Sequence, residues 1–331
     1  MKNTYEGDRR MSRQHLSVNQ AAWQLVRKLC DKAIECGVSV KETKSGAVFI
    51  DAGIEAKGGF LAGEFVTEIC LGGYGKAKVT HMHLDDLKLP SIFVYTDHPA
   101  ISTLGSQFAG WQIKVGEYNA IASGPARALI LKPREIYEKI GYEDKADVAV
   151  LVLETSTEPP ETVVQHICEK CKVTPENLAI LLVSTASIAG SVQVSGRIVE
   201  TGMHKLLRLG FDPKLVTHAW GHAPVAPIHP KFAQAMGRTN DAILYAGVAY
   251  YTVNYDDDEK LKELLEKAPS SASQNYGQPF FEIFKRVGYD FYKIDPNLFA
   301  PAVLIINNAK TGKVFRAGKT NVDVFRRSIG F

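Results

Sequence analysis

Two charged residues stand alone in the middle of this chain. From Asn177 to Met203 the only formal charges are Arg197 and Glu200, three positions apart in VSGRIVETG, among small and apolar residues. With 23% of the chain charged, about six charges would be expected in a stretch of that length. On a helix the two share a face, and one reading is a surface pair worth about 0.2–0.5 kcal/mol. A surface helix carries further charges, however, and this one has none for most of its length. The other reading is a functional pair in an apolar wall, where the arginine offsets the cost of burying a carboxylate. Burial disfavours the charge on Glu200 and the neighbouring cation favours it. A carboxylate balanced in this way is ionised yet able to accept a proton, as a general base must be. The residues alone leave both readings open.

Other groups with chemical potential are less compelling. CEKC (168–171) is a lone CxxC. A zinc ribbon needs a second pair, and a redox dithiol usually opens a helix, whereas this pair comes late in one. Structural cysteines are expected. His218, His222 and His229 in HAWGHAPVAPIHP form the best metal candidate, but no HExxH or carboxylate completes a ligand set. They are read as polar or pocket-lining loop histidines. LGGYGK (71–76) fits neither G-x-G-x-x-G nor a Walker loop, and a tight turn is favoured over a phosphate cradle. SQFAGW (106–111) sets an amide, a ring and a small Ala-Gly step ahead of a strand, which suits a pocket wall.

Composition narrows the class. There are 331 residues, 39 basic against 36 acidic, a net charge of +3 and no long run of one sign. Nucleic acid and an anionic membrane are therefore not expected as partners, while a small anionic ligand is allowed. Five thinly spread cysteines fit a reducing cytoplasm. No apolar stretch is long enough to predict a membrane span. The opening MKNTYEGDRR lacks the apolar region of a secretory signal. Met11 offers an alternative start, so residues 1–11 are left out of the fold reading.

These candidates need elements to hold them. A helical pattern runs from Ser17 to a stop at Gly37. Short β-like runs follow: VSVKET, AVFIDA, KAKVTHMHL, SIFVYT, WQIKV and NAIAS. AKGGFLAGEF reads as a connection or a close-packed helix. DVAVLVLET (147–155) and NLAILLVST flank the helix PPETVVQHICEKCKV, and their continuous apolar character is that of strands covered on both faces. The stretch from Ser184 to Gly210 reads as one helix weakened by small residues, which signal close approach of a backbone or a ligand. KFAQAMGRTNDAILYAGVAYY reads as a long helix, EKLKELLEKA and PFFEIFKRVG as shorter ones, and APAVLIINN and KVFRA as strands. The expected fold class is α/β (α+β mixed), with two α/β domains built on mixed sheets. A discontinuous first domain would span 12–125 plus about 280–331, and the second 126–279.

Together, SQFAGW, STASIAGSVQVSGRIVETGMHKL, HAWGHAPVAPIHP and MGRTNDAILYAG make the chain from about Leu16 resemble the methenyltetrahydromethanopterin cyclohydrolases of one-carbon metabolism. The resemblance implies two α/β domains around a deep interdomain pocket, a homotrimer, and no metal or redox cofactor. It also implies reversible hydrolysis of a cyclic methenyl cation to the 5-formyl pterin. Glu200 would be the base for the attacking water, and Arg197 would position and tune it. Gln107, Phe108 and Ala109 would form the opposing substrate-binding wall, with backbone N–H groups for the formyl oxygen. Arg127, Lys132 and Arg238 are guesses for the anionic tail of the pterin substrate. Two other functions compete: a metal-dependent amidohydrolase using His218, His222 and His229, and a non-catalytic carrier-binding protein.

Overall fold

A computed structural model describes residues 16–290 and 293–331. The opening segment 1–11, and residues 12–15 of the expected first domain, lie outside the described residues. Among the described residues, twelve strands form two mixed sheets of six. The first contains β1 (Ser39–Glu42), β2 (Val48–Asp51), β5 (Trp111–Val115), β6 (Tyr118–Ser123), β7 (Ala149–Glu154) and β8 (Leu178–Val183), in the order β1-β2-β8-β7-β6-β5. The second contains β3 (Gly75–Leu84), β4 (Leu87–Thr96), β9 (Val216–Pro224), β10 (Val248–Val253), β11 (Val303–Asn308) and β12 (Val314–Gly318), in the order β12-β11-β10-β9-β4-β3. In the first sheet β2/β8 and β7/β8 are parallel, and in the second β10/β11; the remaining pairs are antiparallel. Each of the two chain segments expected to form a domain contributes strands to both sheets.

The helices, in chain order, are α1 (Val18–Asp31), α2 (Ala33–Cys36), α3 (Phe60–Cys70), α4 (Arg127–Ile130), α5 (Arg134–Ile140) and α6 (Glu161–Cys171). They continue with α7 (Ile188–Ser195), α8 (Ile198–Arg208), α9 (Phe232–Ala246), α10 (Asp258–Glu266), α11 (Phe280–Arg286) and α12 (Val322–Ile329). The apolar runs of β7 and β8 are explained by cover on both faces. Val150, Val152, Leu181 and Val183 pack with α1 and α3, whereas Leu151, Leu153, Ile180 and Leu182 pack with α6. No helix among the described residues is long and apolar enough to cross a membrane.

The second sheet is covered on one face by α8. Ile198, Val199, Met203 and Leu206 are buried there against Ile92, Val94, Tyr251 and Leu304. Each such side chain contributes on the order of 1.5–3 kcal/mol. The opposite face carries Phe93, Trp220 and Tyr250 ring against ring, with centroids 5.6 Å apart in both neighbouring pairs.

Three stretches differ from their sequence reading: His218 and His222, read as loop residues, lie on β9, and two helix readings change. The 184–210 segment is two helices, α7 and α8, broken at Gly196 and Arg197. The long helix expected over 231–251 ends at Ala246, and VAYYTV becomes β10. Gly247 is extended and leaves room for the Ile198 side chain, and the β-branched and aromatic residues that follow suit a strand.

The small residues of α7 and α8 meet protein. Ser191 Oγ donates to the Ala226 carbonyl and Ser195 Oγ to the Pro224 carbonyl. A Cβ at Gly190 would collide with the Ser184 carbonyl, one at Gly196 with Thr67 and one at Gly202 with Tyr251. Gly190→Ala is therefore expected to destabilise the protein by about 1–3 kcal/mol through overpacking. The denaturant midpoint measures it, and an unchanged midpoint would mean that the β8–α7 corner relaxes freely.

Candidate active site

Arg197 occupies the N-cap position of α8, at the break from α7, and Glu200 sits in the first turn. An acidic side chain there is favoured by the helix dipole. Arg197 Nη2 lies 2.8 Å from Glu200 Oε2, and the side chains are 14% and 6% exposed. This is a buried pair, unlike the chain's surface ion pairs, so removing one partner would strand the other. Glu200 Oε1 has no hydrogen-bond partner among the described residues. Burial works against the Arg197 charge, but Glu200 and weaker contributions from Cys70 and Glu154 more than offset it, and the guanidinium pKa ends above its ordinary value.

The segment expected to form the opposing wall begins at the end of a π-helix, Ala100–Gln107. Helix ends leave their last four carbonyls unpaired, and here all four are satisfied by residues distant in sequence. Arg127 donates to the carbonyls of Leu104 and Ser106, at 3.3 and 3.0 Å. Tyr137 Oη donates to Gly105 at 2.8 Å. Arg197 Nη2 donates to Gln107 at 2.7 Å. Two cations at a helix C-terminus also suit its dipole. The nitrogen that pairs with Glu200 thus fastens the wall to it.

The three expected wall residues have different surroundings. Gln107 is fully buried. Its Nε2 donates to the Gly196 carbonyl, while its Oε1 is buried without a partner. Phe108 is half-buried, with its ring on His204 at 4.6 Å and the Arg127 guanidinium 5.3 Å from its centroid. Ala109 is exposed. The Phe108 N–H donates to Thr103 and the Gly110 N–H to Phe108. Among the described residues, Ala109 alone in 108–110 keeps an uncommitted N–H.

Arg127 is not a cation at a pocket mouth. It is fully buried and spends its donors on main-chain carbonyls, including Nε on Lys132 at 2.9 Å. Arg238 likewise ties down the Pro227 and Ile228 carbonyls, and Lys132 is exposed. The three histidines do not converge. His218 and His222 lie four residues apart on β9, about 13 Å along a strand. His218 bonds Thr217, His222 bonds Ser91 and His229 accepts from the Lys231 N–H. Among the described residues no cluster of three His, Cys, Asp or Glu is placed to hold a metal ion. Cys168 and Cys171 are buried beside the first sheet, and burial raises both thiols, Cys171 to about 12. Gly72 and Gly73, at φ of 67° and 74°, form the tight turn expected of LGGYGK.

Sequence reasoning missed the support of this site. Arg127 is the only formal charge from Tyr118 to Leu131, the same isolation that singled out Arg197. His204 stands four residues after Glu200, one turn along the same helix face.

A mixed α/β architecture with a buried Arg–Glu pair is accompanied by a match to the family described as Cyclohydrolase (MCH), over residues 17–329. That match places the chain among the hydrolases that open rings. Over 319 residues it is 46% identical to the methenyltetrahydromethanopterin cyclohydrolase of Methanocaldococcus jannaschii, covering 96% of this chain and 99% of that relative. It is also 46% identical over 318 residues to the protein of that name from Methanothermobacter marburgensis, covering 95% and 99%. With Methanococcoides burtonii the identity is 43% over 315 residues, covering 95% and 98%. The chain belongs to the methenyltetrahydromethanopterin cyclohydrolase family.

Proposed function

We propose that this protein interconverts 5,10-methenyltetrahydromethanopterin plus water with 5-formyltetrahydromethanopterin, with Glu200 as the base for the attacking water. The observation that carries this reading is the buried Glu200 carboxylate, with Oε2 held 2.8 Å from Arg197 Nη2. The methenyl carbon is an amidinium-like cation and is already electrophilic, so the chemistry calls for a positioned, deprotonated water rather than a Lewis acid. Oε1 takes the proton as the water oxygen bonds to that carbon. Arg197 fixes the carboxylate, and its link to the Gln107 carbonyl sets the distance to the wall. The tetrahedral adduct then expels the aryl nitrogen and leaves the formyl group. The Ala109 N–H is the donor available for the formyl oxygen.

The negative charge of Glu200 favours a cationic substrate. We read the enzyme as working without metal or redox cofactor, in the cytoplasm, as a homotrimer. The half-exposed aromatic face of the second sheet supports self-association. The test is decay of methenyl-carrier absorbance with purified protein after exhaustive chelation, run beside the folate analogue. Rapid decay that survives chelation is expected. Decay no faster than in buffer would leave only a carrier-binding protein, and decay lost on chelation and restored by zinc would favour the metal-dependent reading.

A further inference from the structure

Ring opening has a proton balance that Glu200 alone does not close. The water oxygen bonds to the methenyl carbon, and the bond from that carbon to the aryl nitrogen breaks with its electron pair going to nitrogen. Of the two water protons, one ends on that nitrogen and the other must leave the protein. Glu200 can take the first proton and hand it to the nitrogen, then take the second from the adduct hydroxyl. It cannot begin a new cycle until that second proton departs. Glu200 is only 4% exposed, and its partner Arg197 is a cation with no site to accept a proton.

One turn further along α8 stands His204. Side chains four apart on a helix have Cβ atoms about 5–6 Å apart, within reach through one bridging water. The His204 ring is only partly exposed and packs on Phe108 with an interplanar angle of 39°. Its nitrogens have no hydrogen-bond partner among the described residues. The charged groups that act on it are Glu200, Arg197 and Arg208, with Arg127 across the Phe108 ring. Burial pushes its pKa below the ordinary histidine value, Glu200 pulls the other way, and Arg208 and Arg197 add to the lowering. A neutral imidazole beside a buried carboxylate can accept a proton and release it quickly.

Resting on the function proposed above, we propose that His204 carries the net proton of ring opening from Glu200 to solvent, and returns it in the reverse direction. It acts through Glu200, so it is a relay rather than a catalytic residue.

The test uses the full-length protein with the methenyl carrier. His204→Gln removes the titrating group, and His204→Phe keeps an aromatic ring against Phe108. Both are expected to bind carrier as the wild type does and to lose turnover on the order of 10²-fold. Added imidazole is expected to restore the rate in proportion to its concentration. Wild-type turnover in either variant would overturn the relay. So would a slowed His204→Gln that imidazole does not rescue, because packing alone would then explain the loss. If the wild type itself does not open the ring, the proposed function fails; if it does and the variants keep pace, only the relay fails.

Discussion

Glu200→Gln is expected to leave a folded protein that still binds the carrier while turnover falls by about 10²–10⁴-fold, the range of a lost general base. The substitution keeps the volume and lets an amide oxygen accept from Arg197. The amide nitrogen must then face the position of Oε1, where it offers protons instead of taking them. Arg197 would also lose its counter-charge, although it keeps the Gln107 carbonyl 2.7 Å away. The accompanying loss of stability should be about 1–3 kcal/mol, since a hydrogen bond survives where the ion pair does not. Single-turnover kinetics and thermal unfolding on the same sample separate the two effects. A rate within about tenfold of wild type would remove Glu200 as the base.

Arg127→Met is expected to have the largest effect on stability. Methionine fills much of the space but donates nothing. The carbonyls of Leu104 and Lys132 lose the donors that Arg127 supplies, while Ser106 keeps the Gly124 N–H. One orphaned buried carbonyl at Leu104 and a part-buried one at Lys132, at about 1–3 kcal/mol each, predict a loss of about 2–6 kcal/mol, read from the denaturant midpoint. Lysine should rescue little, because one ammonium cannot reproduce the planar fork. The π-helix end would loosen, so kcat should fall more than KM rises. A stability change below about 0.5 kcal/mol, ordinary for a surface substitution, would show that the wall holds without the arginine.

The contrast between these two residues shows what could be read from the chain. Arg197 and Glu200 were legible because both partners are side chains three apart, and isolation in an apolar stretch exposes such a pair. Arg127 was equally isolated, but its partners are main-chain carbonyls, which leave no mark on residue types. Its role appears only when the 104–107 turn is brought beside it. β7 and β8 were legible because cover on both faces demands unbroken apolar runs. The end of α9 was not, since AILYAGVAYY is apolar in either conformation and only pairing with β9 and β11 makes VAYYTV a strand. The glycines of α7 and α8 pointed to a close approach, and the partners proved to be backbone and side chains of the fold rather than a ligand.

A single nitrogen, Arg197 Nη2, reaches both the carboxylate and the wall, at 2.8 and 2.7 Å. One positive end is shared by two acceptors that belong to different walls of the site. Drawing the Gln107 carbonyl away would leave that nitrogen wholly to Glu200; pressing the carbonyl inward would draw it away from the carboxylate. The hold on Glu200 is therefore a mechanical property of the site, set by how far apart its two sides stand.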